Sequence, residues 1–306
     1  MQASLTVHAP EQAAIVKTVD AGQALRIGRD DACGLRIVHP SVSRVHAELS
    51  DEGGGWVLRD LGSKNGSFVE GARLAPAEAR TLPRSAWLRF GDVYCAFDRI
   101  DGDAAARAEA GRRARRDVAT AHTARIDGVQ DLGGLLDASL RGVLELAQCE
   151  RGFVLLAQDG HDGAAGFAVR ASVALDAGRL GAREFSGSVG AVRRALGERR
   201  TVVANDVAGE AWLSARASVV SAGITALACV PLVEGDDVLG AIYADRSGPG
   251  APITLLDQEL LEAFAERVSL WLAAHRMREL LDALPAGDAP PVDWDGIVAA
   301  HAGVAP

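Results

Sequence analysis

The sequence predicts two domains of different class, an all-β sandwich followed by an α/β domain. Over the first 98 residues, short strand-like runs alternate with turn-forming glycines, a pattern typical of a β-sandwich. From about residue 131, apolar residues at helical spacing precede strand-like runs and a long final helix, which indicates an α/β domain. The length of 306 residues also favours two domains over one.

The strand-like runs of the first 98 residues are short and closely spaced. Glycines at 53–55, 62, 66 and 71 supply turns between them. Short strands at this spacing favour two packed antiparallel sheets. The predicted strands are residues 5–8, 15–19, 24–28, 35–38, 47–50, 56–60, 68–69, 87–89 and 93–97.

Residues 99–130 form a predicted linker of different composition. They are rich in Ala and Arg, which favour helix, and acidic side chains are interleaved among them. One interpretation is a solvated linker helix, and the other is a basic arm that contacts nucleic acid or an acidic partner. Residues 285–306, rich in Pro and Ala, are predicted to be a flexible tail.

Residues 131–284 form the predicted second domain. Thr254 can cap the final helix with Asp257 as its capping-box partner, and Pro285 ends that helix. Gly235 lies in a turn between two apolar runs, which predicts a hairpin. The predicted order is helix 131–149, strands 152–158 and 166–173, helix 188–197, strand 201–204, helix 210–217, hairpin 226–243 and helix 254–284.

Charge and cysteine content exclude several classes of protein. Residues 131–306 carry 14 basic and 24 acidic side chains within a net charge of −9, so nucleic acid is a disfavoured partner. The four cysteines are far apart, which suggests neither a disulfide framework nor a metal site. No apolar run has the length of a membrane helix, and the N-terminus does not resemble a signal peptide. We therefore expect a cytoplasmic protein that does not contact membranes.

Three short runs in the first third give the clearest functional signal. Inside a strand-rich segment they predict three loops rich in cations and hydrogen-bond donors, which a phosphate dianion requires. A lone Gly-Arg would favour an ordinary sandwich with surface arginines, whereas three such loops favour a phosphate site. The runs are Gly28-Arg29, Ser43-Arg44-Val45-His46 and Gly62-Ser63-Lys64-Asn65-Gly66-Ser67.

With these runs, residues 5–98 resemble the forkhead-associated (FHA) domain, a family that binds phosphothreonine peptides through arginines. The resemblance implies that Arg29 and Ser43 make the principal phosphate contacts. It assigns accessory contacts to Arg44 and Lys64, and a hydrogen bond with the peptide backbone to Asn65.

The resemblance assigns Gly28, His46 and Gly66 to structural support of the site and no residue to catalysis. This sequence departs from the family pattern at Ser67, where the family has Thr, and at Glu70, where Asn is common. We expect a carboxylate near the peptide groove at Glu70 to alter which flanking residues are tolerated.

Residues 131–284 resemble a GAF domain, on the runs 149–156, 204–207, 228–232 and 239–243 with Asp245. The resemblance implies a central antiparallel sheet flanked by helices. Because these are mostly packing residues, they identify the fold better than they identify a ligand.

GAF domains bind cyclic nucleotides, haem, bilins or metabolites, or serve as dimerisation modules. The cyclic-nucleotide signature is not recognisable, since Asn205 is followed by Asp206 and not by Lys. His161 fits a solvated loop better than a haem ligand. We expect no cofactor, leave the GAF ligand open, and predict a homodimer through the helices that flank the sheet.

The sequence has no Walker loop, nucleophile elbow, zinc-ligand spacing or kinase signature, so we expect no enzyme. The FHA-GAF order resembles the sensory half of bacterial regulators that continue into an AAA-type ATPase and a DNA-binding domain. We expect neither of these two output domains within residues 1–306. We predict a cytoplasmic signalling adaptor that binds a threonine-phosphorylated protein in a Ser/Thr kinase pathway. The alternatives are a transcriptional regulator or regulatory subunit without its own output domain, and a sensor gated by a GAF ligand.

Overall fold

The N-terminal part of the chain folds into two packed β-sheets. The computed structural model describes residues 1–75, 77–158, 166–175, 188–205 and 223–283. The strands of the sandwich are β1 (Gln2–His8), β2 (Ile15–Val19), β3 (Ala24–Gly28), β4 (Leu35–Arg36), β5 (Ala47–Glu52), β6 (Gly55–Asp60), β7 (Ser67–Val69), β8 (Ala72–Arg73), β9 (Ala79–Thr81), β10 (Ser85–Phe90) and β11 (Val93–Ile100).

One sheet has the order β2-β1-β11-β10-β7-β8 and the other β4-β3-β5-β6-β9. Every pairing is antiparallel except that of β3 with β4. Buried and less buried residues alternate along β1 and β10, so each strand presents one face to a core that includes Trp56, Phe90 and Phe97. The predicted sandwich is confirmed; the short strands β8 and β9 were not predicted, since they carry little apolar signal.

The second part of the chain contains a five-stranded antiparallel sheet with helices on both faces. Its strands have the order β13-β12-β16-β15-β14. The elements are α1 (Gly102–Asp127), α2 (Leu132–Ala147), β12 (Arg151–Gln158), β13 (Gly166–Val173), α3 (Val189–Glu198), β14 (Val202–Ala204), β15 (Ala226–Glu234), β16 (Asp237–Arg246) and α4 (Leu255–Ala283).

The two faces of this sheet have separate cores. Helices α2 and α4 cover one face, where Phe264 and Val268 pack with Val154 of β12. Helix α3 covers the other face, where Ala191 and Ala195 pack with strand residues such as Phe153, whose side chains lie on the side opposite to that of Val154. The predicted α/β fold class with an antiparallel sheet is therefore confirmed.

The predicted local signals of this domain are present in the structure. Glu234 pairs with Asp237, so β15 and β16 form a hairpin around a two-residue turn containing Gly235. Thr254 Oγ accepts a hydrogen bond from the Asp257 backbone (3.3 Å), and Asp257 accepts one from the Thr254 backbone (2.7 Å). The predicted helix 210–217 and tail 285–306 lie outside the described residues.

The predicted linker forms helix α1, which begins at an Asp101 cap and packs along its second half. Ala119, His122 and Ile126 are buried there, and His122 Nε2 lies 2.7 Å from a carboxylate oxygen of Glu145 in α2. The expectation of a solvated helix therefore fits only the first half of α1. The domain boundaries at 98, 130 and 284 stay predictions.

Among the described residues, no helix has both the length and the apolar character needed to cross a membrane.

Candidate functional site at the loop end of the sandwich

The loops that follow β3, β4 and β6 surround one groove of about 670 Å³. The five residues predicted to contact a ligand all line it, together with Ser41 and Val45. They are Arg29, Ser43, Arg44, Lys64 and Asn65. The fold thus brings together side chains that are up to 36 positions apart in sequence.

The first two loops are held together by backbone contacts at Gly28. The N–H of Arg29 donates to the carbonyl of Ser43 (2.9 Å), and that of Asp30 donates to the carbonyl of Arg44 (3.0 Å). A Cβ at position 28 would lie 2.2 Å from the Arg44 carbonyl oxygen, so only glycine allows this approach. As a result, Arg29 and Arg44 lie on adjacent segments of backbone.

The groove carries a net positive charge. Arg29, Arg44 and Lys64 are exposed, and none of them forms an ion pair with a described residue. By contrast, nearby Arg36 pairs with Asp31 at 2.8 Å. One carboxylate, that of Asp30, also lines the groove, so the three cations are in excess and create a positive potential suited to an anionic ligand.

His46 connects two of the loops from beneath the groove. It is fully buried; its Nδ1 accepts a hydrogen bond from the Ser43 N–H (3.1 Å), and its Nε2 lies 3.1 Å from the Gly66 carbonyl oxygen. These bonds require a neutral ring with the proton on Nε2. Burial lowers the pKa of His46, which favours that neutral form. Both ring nitrogens are thus occupied by the scaffold, as the predicted supporting role requires.

Ser43 and Asn65 both line the groove, and each already makes one hydrogen bond within the chain. Ser43 Oγ accepts a hydrogen bond from the Lys64 N–H (3.0 Å), which leaves its hydroxyl proton for a ligand. Asn65 Nδ2 donates to the Ser41 carbonyl (2.7 Å), while its Oδ1 has no partner among the described residues. The predicted contact between Asn65 and a peptide backbone would therefore use the carbonyl oxygen.

Asp60, which sequence reasoning missed, organises the β6–β7 loop. This buried carboxylate accepts hydrogen bonds from the N–H groups of Gly62 (2.9 Å) and Ser63 (2.9 Å) and from the hydroxyls of Ser63 (2.7 Å) and Ser67 (2.6 Å). Burial alone would raise the pKa of Asp60, but these hydrogen bonds outweigh burial and lower it. An Asp at a strand end, two residues before a Gly, is a turn signal that could have identified it.

Ser41 was also missed, and it joins the β10–β11 turn to the groove. Its Oγ accepts a hydrogen bond from the Asp92 N–H (2.8 Å) and lies 2.8 Å from His39 Nδ1. A Cβ at Gly91 would lie 2.5 Å from the Ser41 carbonyl oxygen. The contacts with Gly91 and Asp92 are non-local, so the sequence around Ser41 gave no signal for them.

Glu70 lies in the turn after β7 and is bound to a neighbouring strand. Its backbone has φ 49°, and its carboxylate accepts a hydrogen bond from the Trp87 N–H (2.7 Å) on β10. Glu70 is not among the residues that line the groove. Its expected effect on which flanking peptide residues are tolerated stays a prediction.

The second domain places its candidate residues in structural roles. Asn205 Oδ1 accepts a hydrogen bond from the Ile253 N–H (2.6 Å), and Asn205 Nδ2 donates to the Ile253 carbonyl (2.9 Å). Burial raises the pKa of Cys149 to about 12 and also raises that of Cys229, so both thiols stay protonated. Asp206 and His161 lie outside the described residues. Within the described ranges, no cluster of three or more His, Cys, Asp or Glu could hold a metal ion.

The linker, residues 99–130, carries a cluster of arginines at positions 107, 112, 113, 115 and 116. Two of them are bound to carboxylates of the same chain. Arg112 pairs with Glu109 at 2.6 Å, and Arg115 forms hydrogen bonds with both carboxylate oxygens of buried Asp257. These pairs reduce the charge that the cluster can offer to a nucleic acid.

Comparison with known proteins identifies two families in this chain. The family model of the FHA domain matches residues 25–91, and that of the GAF domain matches residues 131–272. The ABC transporter ATP-binding/permease protein Rv1747 of Mycobacterium tuberculosis is 38% identical over 58 residues, which are 19% of this chain and 7% of that protein. The chain therefore spans a small fraction of the length of this relative.

Among solved structures, the FHA domain of CT664 protein from Chlamydia trachomatis is 23% identical, with a TM-score of 0.30. It covers 33% of this chain and 100% of its own. The FHA-1 domain of Mycobacterium tuberculosis Rv1747 is 28% identical, with a TM-score of 0.27, and covers 32% of this chain and 97% of its own.

Titration of His46 provides a test of the neutral imidazole. Its pKa in the folded chain lies below the ordinary value of 6.5, so as pH falls through 6.5 the unfolded chain binds a proton before the folded chain does. Stability is then complete above about pH 6.5 and declines as pH falls toward the folded-state pKa. An NMR titration measures that pKa, and urea unfolding at several pH values measures the decline.

The variant His46→Asn is the control, because it has no titratable group at this position. Its free energy of unfolding should depend less on pH between 7 and 5 than that of the wild type. A His46 pKa at or above 6.5 would contradict the neutral bridging role.

Proposed function

From a chain that carries an FHA domain followed by a GAF domain, we propose a signalling adaptor that binds threonine-phosphorylated proteins. FHA domains recognise phosphorylated motifs through clustered arginines. The GAF module serves dimerisation or the sensing of a small molecule. FHA and GAF are non-catalytic domains, and the proposal is accordingly of a binding protein.

The observation that carries the proposal is the groove in which three cations, none in an ion pair with a described residue, lie near a hydroxyl donor. A phosphothreonine brings nearly two negative charges and three acceptor oxygens. Arg29 offers a planar fork of donors, and Ser43 offers its hydroxyl proton. Each hydrogen bond to a charged group contributes about 1.5 to 3 kcal/mol, so two or three of them can decide the binding of a short peptide.

The preference for threonine over serine is part of the proposal. Val45 lines the groove near Ser43, and its apolar side chain is 43% exposed. It offers an apolar contact for the methyl group that distinguishes phosphothreonine from phosphoserine. A Ser/Thr kinase must supply the phosphorylated partner.

A cytoplasmic location is also proposed. All four cysteines are free, and three are buried. Unpaired thiols are typical of a reducing compartment.

Dimerisation through α4 is supported by the exposed end of that helix. All residues from 276 to 283 are exposed, including Met277 (58%) and Leu280 (65%). Leu270 (55%) is also exposed. Leu270 and Met277 are seven residues apart, and Met277 and Leu280 are three apart, which are the spacings of apolar residues in a coiled coil. Since a short isolated helix is marginal in water, a second copy of α4 is the occupant that we propose for this face.

The alternative of a regulator that acts on nucleic acid has less support. Arg112 and Arg115 are bound to carboxylates of the chain itself, and residues 131–306 are acidic. A sensor gated by a GAF ligand stays compatible with the proposal, because in either case the first domain binds the phosphorylated partner.

A phosphopeptide library tests the proposed function. We expect micromolar-class binding of phosphothreonine peptides, lost on dephosphorylation, and weakened about tenfold to a hundredfold by Arg29→Ala because charged hydrogen bonds are removed. The matched control is Arg26→Ala, at an exposed arginine of β3, the strand that precedes Arg29, which does not line the groove. Equal binding of phosphorylated and unphosphorylated peptides would contradict the proposal.

Light scattering after size-exclusion chromatography tests the dimer. The wild type should have the mass of two chains, and Leu280→Glu should shift it toward one because a carboxylate in an apolar seam costs free energy. Val16→Glu, which places the same charge at an exposed apolar residue of β2, should leave the mass unchanged. A monomeric wild type at micromolar concentration would count against the dimer.

A further inference from the structure

The β1–β2 loop of the sandwich, residues 9–14, docks on the second domain. The Ala14 N–H donates to the Ile253 carbonyl (2.9 Å), and the Leu255 N–H donates to the Ala14 carbonyl (2.8 Å). Ala14 thus uses both of its backbone groups to bind the segment that leads into α4. This is strand-like pairing across two domains, and its hydrogen bonds are independent of side-chain identity.

Burial shows that the docking is close. Ala13 is 3% exposed and Ala14 is fully buried. Ala13 packs with the core of α2 and α4 and not with the core of the sandwich. At the rim, Glu11 pairs with Arg194 of α3 at 2.8 Å, but both side chains are partly exposed, so this ion pair contributes less than the buried contacts.

The same loop contacts the segment that carries the phosphate groove. Gln12 Nε2 donates to the Val38 carbonyl at 3.1 Å. Val38 lies in the β4–β5 loop, a few residues before Ser43 and Arg44. With Arg29 and Arg44 it lines a second pocket of about 310 Å³ that adjoins the groove. One loop therefore contacts both the ligand-binding loop and the second domain.

The docking point in the second domain is itself held by three elements. Asn205, after β14, binds both backbone groups of Ile253. Asp257, in the first turn of α4, is paired with Arg115 of the linker helix. A displacement of β14, α4 or α1 would therefore change the position of the loop that contacts Val38.

We propose that residues 9–14 form an interdomain clasp that couples the phosphate groove to the GAF domain. This inference rests on the proposed function for its ligand and adds the regulation of that site. Any ligand or dimer contact that shifts the start of α4 alters phosphopeptide affinity through the clasp. By thermodynamic reciprocity, phosphopeptide binding strengthens the docking of the clasp by the same factor.

Hydrogen exchange on the full chain tests the clasp without any ligand. Ala13→Glu places a carboxylate in the core of the second domain and should undock the loop. We expect amide exchange in the groove segment 36–46 to become about fivefold faster, the effect of losing about one net hydrogen bond. Ala21→Glu, the same substitution at an exposed alanine of the β2–β3 turn, is the matched control and should leave exchange in that segment unchanged.

A charge-reversal pair covers the case in which Ala13→Glu disturbs the fold of the second domain. Glu11→Arg, at the exposed rim, should speed exchange in residues 36–46 by a smaller factor. The double variant Glu11→Arg/Arg194→Glu should recover part of this difference, because the ion pair with residue 11 is rebuilt with opposite polarity while the second pair of Arg194, with Glu198 at 3.0 Å, is lost. An unchanged rate in residues 36–46 for both Ala13→Glu and Glu11→Arg overturns the clasp.

Titration with a phosphothreonine peptide separates the clasp from the proposed function. Ala13→Glu should weaken peptide binding about fivefold relative to Ala21→Glu. A wild-type chain that binds no phosphopeptide contradicts the proposed function, while the exchange comparison still decides whether the clasp couples the two domains. Equal affinities of Ala13→Glu and Ala21→Glu for a peptide that does bind overturn the coupling.

Discussion

The candidate site depends on the hydrogen bonds that hold three sandwich loops at fixed separations. No single loop forms the groove; His46 joins the Ser43 loop to Gly66, and Asp60 fixes the loop that carries Lys64 and Asn65. Because both groups are buried, their bonds are shielded from competing water. Because the loops are held in place without a ligand, little loop ordering is needed on binding. The cations that line the groove stay unpaired among the described residues and available to a ligand.

The architecture could be predicted from the sequence because it rests on local signals, whereas the groove residues were predicted from three short runs and their resemblance to the FHA family. Strand periodicity, turn glycines and the Thr254 capping box each act within a few residues. Ser41 was missed because its partner Asp92 is brought close by folding. Asp60 was missed although its partners are close in sequence, since the turn signal of an Asp two residues before a Gly was not used. The contact of the Glu70 carboxylate with the backbone of β10 is non-local, and no local pattern shows it.

The linker shows how a composition signal can mislead. An Ala/Arg-rich stretch indicates a solvated helix, yet the second half of α1 buries Ala119 and Ile126 against α2 and α4. Arg115 of α1 forms an ion pair with buried Asp257, close in sequence to Ile253 and Leu255, which bind the β1–β2 loop. The connection between the sandwich and the second domain is therefore a packed helix, through which a binding event in one domain can alter the other.

The central claim is that the groove is already built to hold a phosphate. A crystal structure of the full chain with a phosphothreonine peptide tests it most directly. The account predicts phosphate oxygens within hydrogen-bond distance of the Arg29 guanidinium and the Ser43 hydroxyl, with the bonds of His46 and Asp60 unchanged. A phosphate bound elsewhere, or loops that rearrange to receive it, would contradict the account.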